Sequence, residues 1–207
     1  TTIGPARIGL LTSIGLTEVP VRRRPRLAVL ATGAELTPKG QPLTSKGQVS
    51  TIEGAPLVPD SNTATLLAAG RAAGVDAIAF GPVDDDVAAF RARLAEAAAS
   101  ADIVVTTGGI SAGDHDVVKA ALIDDDAFWF GPVAIKPGRP QGGGVVRTAE
   151  GRTVPVVTLP GTPIAATAAF ALFVVPCLRV LAGGPWQPRT APLACDADAG
   201  DRTVLLP

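Results

Sequence analysis

Four short segments carry most of the side chains with chemistry to offer. The first runs from Thr107 to Asp116 and packs Gly108, Gly109, Ser111, Gly113, Asp114, His115 and Asp116 into ten positions. Adjacent glycines let a backbone approach a ligand closely and turn its amide N–H groups toward an anion. Ser111 adds a hydroxyl, Gly113 allows a second tight turn, and Asp116 stands at a helix start. The plainer account is a glycine-rich turn between strand and helix, with Asp116 as its N-cap. The second segment, Lys136 to Pro140, sets Lys136 and Arg139 on a loop stiffened by Pro137 and Pro140 and opened by Gly138. Two cations so held form an anion clamp; standing alone, they would be a solvated surface turn. The third, Asp60-Ser61-Asn62 before an apolar run, is an ordinary N-cap signature as well as a candidate ligand contact. The fourth is Thr32-Gly33-Ala34-Glu35, where Glu35 can hold a metal or a hydroxyl, or face solvent. His115 has no Ser or Cys partner at a recognisable spacing, so a catalytic triad is set aside.

These segments need a frame that brings them together. The apolar runs Leu27–Leu30, Asp76–Phe80 and Ile103–Thr106 read as buried strands. Helices are expected over 62–73, 87–100, 116–122 and 163–181, the last ending at Gly183-Gly184. Alternating strands and helices imply a parallel sheet covered on both faces, a three-layer αβα arrangement of the Rossmann-like kind. A further short strand is expected near Phe128. A strand pair at 144–147 and 154–159, joined by a polar turn, makes the sheet mixed, and residues 38–59 read as one long loop. In such a sheet a ligand sits beyond the carboxyl ends of the strands, where all four segments fall. Residues 1–24 read as a helix and linker from a preceding domain, 25–184 as the αβα domain, and 185–207 as the start of an incomplete β domain.

Composition narrows the function. With 207 residues, 47% hydrophobic content and a net charge of −1, the chain can build a substantial core and lacks the basic excess of a nucleic-acid binder. The run Arg22-Arg23-Arg24 reads as a solvated linker. Cys177 and Cys195 have neither metal-ligand spacing nor a disulfide framework, which fits a reducing, cytoplasmic setting. The apolar stretch from Ile164 to Leu181 is interrupted by Pro176 and reads as a buried helix, so no membrane partner is expected.

Taken in order, Leu27–Leu36, Gly40–Leu43, Asp60–Asn62, Asp84–Asp86, Gly108–Asp116, Ile135–Pro140 and Leu159–Pro163 closely resemble the molybdopterin molybdenumtransferases, the family of MoeA and the gephyrin E domain. The likeness runs from about Gly15 to Gly184 and covers a molybdopterin-binding domain. It implies insertion of molybdate into adenylylated molybdopterin with release of AMP, assisted by Mg²⁺, in a homodimer. By position it implies that Gly108, Gly109 and Ser111 cradle the phosphate and nucleotide. Asp116 becomes the essential carboxylate and metal ligand, and Lys136 and Arg139 the cations beside molybdate. Asp60, Ser61 and Asn62 hold the ligand at the sheet edge, and Thr32, Gly33, Gly113, Pro137, Pro160 and Gly161 complete the binding set. The chain departs from the family at Arg139, usually Lys; Ala34, usually Asp; Thr162, usually Asn; and Ala165, usually Ser. Two other readings stay open: a molybdopterin adenylyltransferase on the same sheet, and a non-catalytic binding or scaffolding module.

Overall fold

The computed structural model describes residues 3–37, 51–52, 55–110, 116–184 and 203–204. Six strands form the main sheet: β1 (Arg26–Thr32), β2 (Asp76–Val83), β3 (Ile103–Thr107), β4 (Phe128–Pro132), β5 (Pro140–Arg147) and β6 (Thr153–Leu159). Their spatial order is β2-β1-β3-β6-β5-β4. β2, β1, β3 and β6 run parallel, and β5 and β4 add as antiparallel strands at one edge. The αβα reading with a mostly parallel sheet holds.

The parallel strands are apolar on both faces because successive side chains point to opposite sides and both sides are covered. Ala28, Leu30, Val104 and Val156 point to one face and pack with Phe90, Leu94, Val118 and Leu122. Those residues come from helices α3 (Val87–Ser100) and α4 (Val117–Leu122). Leu27, Val29, Ile103 and Val105 point to the other face and meet Leu66, Phe170, Val174 and Leu178. These belong to α2 (Ser61–Ala72) and to a last helix, α5 (Pro163–Leu181). α5 is long and apolar enough to cross a membrane, with 19 residues and mean hydropathy 2.2. In this fold it lies on the sheet, with Ala165, Ala166, Ala169, Phe170, Val174 and Leu178 buried. Its middle turn, Phe170–Val174, widens to a π-helix. Pro176 explains the widening: it has no N–H to return to residue 172 and its ring crowds that carbonyl.

Two expectations change. The stretch read as one long loop contains short pairings, Leu36–Thr37 with Val58–Pro59 and Thr51–Ile52 with Ala55–Pro56. β5 begins at Pro140, four residues earlier than expected, and takes in Gly142, Gly143 and Gly144. The expected helix α1 (Pro5–Ser13) forms, with none of its residues buried.

Candidate functional site

The carboxyl ends of β1, β3 and β6 open onto a cavity of about 630 Å³. Thr107 ends β3, and the chain then turns through Gly108 and Gly109 at φ +89° and +65°. Both values lie in the left-handed region that glycine adopts without penalty. A side chain at Gly108 would also place its Cβ 2.6 Å from the Thr32 carbonyl oxygen, so this is a close backbone crossing as well as a turn. The Gly108 N–H donates to the Leu159 carbonyl (3.1 Å), which fastens the loop to the end of β6. Two amides were expected to face an anion. Gly108 has donated its own, which leaves the Gly109 N–H as the one without a partner among the described residues. Thr32 closes the floor, its hydroxyl donating to the Thr107 carbonyl at 3.2 Å.

Opposite this turn stands Asn62, in the first turn of α2. Its Nδ2 donates to the Gly161 carbonyl (2.7 Å) and lies 3.4 Å from the Thr107 hydroxyl. Its Oδ1 is buried without a hydrogen-bond partner. Such an acceptor is costly to leave unmade, and a site with a ligand donor is where it is tolerated. Asp60 has a different role: its carboxylate accepts from the Thr63 N–H at 3.0 Å and caps α2. Neither Asp60 nor Ser61 belongs to the cavity lining, so of this motif Asn62 alone reaches the cleft.

Asp116 lines the cavity and occupies the N-cap position of α4, yet its side chain makes no capping bond. Glu35 and Asp85 also line the cleft. The Glu35 carboxylate folds back over Gly33, and Asp85 comes from the Asp84-Asp85-Asp86 run, whose last member caps α3. No cluster of three His, Cys, Asp or Glu suited to a metal exists among the described residues. Mg²⁺ needs no such cluster, since one or two carboxylates plus substrate phosphates and water suffice to hold it. Asp116 at this lip fits that donor set.

The cation loop is divided. Gly138 and Pro140 line the main cavity, while Arg139 and Gln141 line a neighbouring one of about 420 Å³ with Lys119, Phe130 and Ile110. Lys136 is exposed and lies outside both linings, as does Pro137, which follows a cis peptide bond. The expectation that Lys136 and Arg139 face the cleft side by side is therefore corrected. The loop reaches the cleft through its backbone, and Arg139 turns to the second cavity. Neither cation has a side-chain partner among the described residues. Pro160, Gly161, Thr162 and Ala165 line the main cavity on the β6 side. Ser111, Gly113 and His115 lie outside the described residues. Asp85, Ile110 and Gln141 were not singled out from sequence; the triple aspartate was the one signal that could have pointed to the first.

An α/β sheet with a cleft at its strand switch, a glycine turn on that cleft and Arg139 in a neighbouring cavity has the layout of a small-ligand-binding domain. Residues 28–180 match the family model described as "Probable molybdopterin binding domain", and the chain belongs to that family. It is similar to Molybdopterin molybdenumtransferase 2 of Mycobacterium tuberculosis (strain H37Rv), 40% identical over 189 residues, 88% of this chain and 43% of the relative. It is also similar to Molybdopterin molybdenumtransferase of Nostoc sp., 35% identical over 91% of this chain and 41% of that one. Among solved structures, the molybdopterin biosynthesis moea protein from Pyrococcus horikosii superposes with TM-score 0.68 at 31% identity, covering 87% of this chain and 41% of that one. The chain thus spans about two fifths of the length of these relatives. The tungsten cofactor synthesizing protein MoaB from Pyrococcus furiosus, 17% identical with TM-score 0.53, shares the fold.

Proposed function

We propose that this chain is the ligand-binding domain of a molybdopterin molybdenumtransferase acting in molybdenum cofactor biosynthesis. Adenylylated molybdopterin occupies the main cleft, molybdate meets the cations beside it, and AMP leaves. The observation that carries the reading is the 630 Å³ cavity with Gly108, Gly109, Asn62 and Asp116 on one lining. Its volume suits a bulky ligand rather than a lone ion.

Each residue has a part in that chemistry. The Gly109 N–H donates to a phosphate oxygen, and the Asn62 Oδ1 accepts from a ring or ribose donor of the ligand. Asp116 orients the water whose oxygen attacks phosphorus. As that P–O bond forms, the phosphoanhydride bond breaks and AMP departs, leaving the terminal phosphate on molybdopterin. A divalent cation held by Asp116 neutralises charge on the phosphates when bound. Arg139, in the neighbouring cavity, balances the charge of molybdate while the two dithiolene sulfurs bind molybdenum and a displaced oxygen leaves as water with the two thiol protons. The same reading carries a cytoplasmic setting and a homodimer.

The test is AMP release from adenylylated molybdopterin in the presence of molybdate and Mg²⁺. Asp116→Asn keeps the shape of the N-cap residue, so thermal stability and ligand binding should stay near wild type while AMP release collapses. Retention of most AMP release in Asp116→Asn contradicts the catalytic assignment. Tight binding with no turnover, even within a full-length protein, favours the scaffolding alternative. Transfer of an adenylyl group to molybdopterin favours the adenylyltransferase.

A further inference from the structure

Gln141, the second residue of β5, is only 5% exposed. Its Nε2 donates to the Gly138 carbonyl at 2.7 Å. Its Oε1 is buried and has no hydrogen-bond partner. A glutamine kept for packing would have both ends of its carboxamide satisfied, or be replaced by leucine of similar length. The one bond it makes falls on a critical stretch. Gly138 and Pro140 line the larger cavity, Arg139, Pro140 and Gln141 the smaller, so residues 138–140 form the partition between them. A Cβ on Gly138 would sit 3.5 Å from the Gln141 Nε2 and 3.4 Å from the Ala165 Cβ. Ala165 offers only a methyl at that wall, and the polar fastening comes from Gln141. The far side of the partition is tied by the Val133 N–H, which donates to the Arg139 carbonyl at 2.7 Å.

We propose that Gln141 is the positioning residue of this partition: its carboxamide holds Gly138 against the larger cavity, which sends the Arg139 side chain into the smaller one. The idea deepens the proposed function, because it rests on an oxyanion meeting Arg139 beside the main cleft. The Oε1 then has a purpose as an acceptor for a water or a protonated oxygen that arrives with the oxyanion.

The experiment compares Gln141→Leu and Gln141→Glu with the wild-type chain, using molybdate alone as the probe. Gln141→Leu removes the bond and the orphan acceptor together; Gln141→Glu keeps the length and removes the donating amide but adds a negative charge beside the oxyanion, so Val133 exchange, and not molybdate affinity, is its deciding readout. In both, the Val133 amide should exchange with solvent at least tenfold faster while Val104 and Val156 stay unchanged. Molybdate affinity of Gln141→Leu by calorimetry should fall about tenfold. The melting temperature of Gln141→Leu should change little, since the lost bond to the Gly138 carbonyl is offset by removal of an unsatisfied buried atom. Unchanged Val133 exchange overturns the proposal, as does faster exchange with unchanged molybdate affinity. A Gln141→Glu variant that behaves as wild type overturns it too, and so does a general loss of stability that speeds exchange throughout the sheet. If the wild-type chain binds no molybdate, the oxyanion reading fails, and Val133 exchange alone decides whether Gln141 holds the partition.

Discussion

The two ends of the central sheet treat charge in opposite ways. At the amino end, Arg23 donates to both carboxylate oxygens of Asp102, at 2.6 and 2.5 Å, and the Arg26 N–H adds a third bond at 2.7 Å. Arg152 lies 3.9 Å from the same carboxylate and donates to the carbonyls of Ala98 and Ala99. At the carboxyl end, Arg139 and Lys136 have no such partner among the described residues, and the acceptors of Asn62 and Gln141 lack donors. Both ends carry arginines and aspartates. One end uses them to fix the entering segment to the sheet. The other leaves polar groups unmatched around a cavity, which is costly unless a ligand matches them.

The largest expected effect falls on the cleft. Gly108→Ala forces a side chain onto a left-handed backbone and against the Thr32 carbonyl. It should cost about 2–4 kcal/mol of stability in denaturant titration, from strain plus overpacking. Ligand affinity should fall at least a hundredfold. Next come the cations: Arg139→Ala should weaken molybdate binding by about 1.5–3 kcal/mol, the worth of a charge-assisted contact, while leaving stability within about 0.5 kcal/mol. Lys136→Ala should do less, because Lys136 is exposed and outside both cavities. If Lys136→Ala proves the more damaging, the division of the loop described above is wrong.

The amino end should respond in the reverse sense. Asp102→Ala should cost roughly 1–2 kcal/mol of stability, discounted for the exposure of Arg23, and leave ligand affinity untouched. The Arg23 guanidinium bonded to Asp102 holds its carboxyl below the ordinary carboxylate range, despite an opposing push from partial burial. A depressed folded-state pKa means the contribution is complete above the unfolded value of about 4 and fades as pH falls through the folded one. Stability measured from pH 6 down to pH 2 should therefore lose an acid-dependent component in Asp102→Ala that wild type retains. An identical slope in both would show that the pair contributes nothing.

Much of this was legible in the residues. The alternation of apolar runs with helical stretches gave the parallel core, because strands covered on both faces must be apolar throughout. The start of β5 was not legible, since Gly142 and Gly143 carry no side chains to show a strand's alternation and the expected strand begins at Gly144. They sit in a strand because the Phe130 ring lies across Gly142, where a Cβ would come within 2.5 Å of it. At the site, the glycine turn, Asn62 and Asp116 were visible as types at suitable spacings. The turning of Arg139 into the second cavity belongs to the conformation of residues 138–140, beside which the Gln141 amide bonds the Gly138 carbonyl. Residue types alone do not show which cavity a loop side chain enters. Asp60 illustrates the converse: its motif pointed equally to a cap and to a ligand, and the Thr63 N–H decides for the cap.

The central claim is that the carboxyl end of the sheet is the ligand site, and Gly161 offers the cleanest access to it. Gly161 is exposed, lines the cavity, and has only ordinary contact, at 3.4 Å from the Gly108 Cα, where a side chain would begin. Gly161→Val should therefore fold with near wild-type stability while filling part of the cleft. Titration calorimetry of adenylylated molybdopterin against wild type, Gly161→Val and Asp102→Ala should show affinity retained in Asp102→Ala and reduced at least tenfold in Gly161→Val. Equal affinity in wild type and a folded Gly161→Val would contradict the account and place the ligand elsewhere.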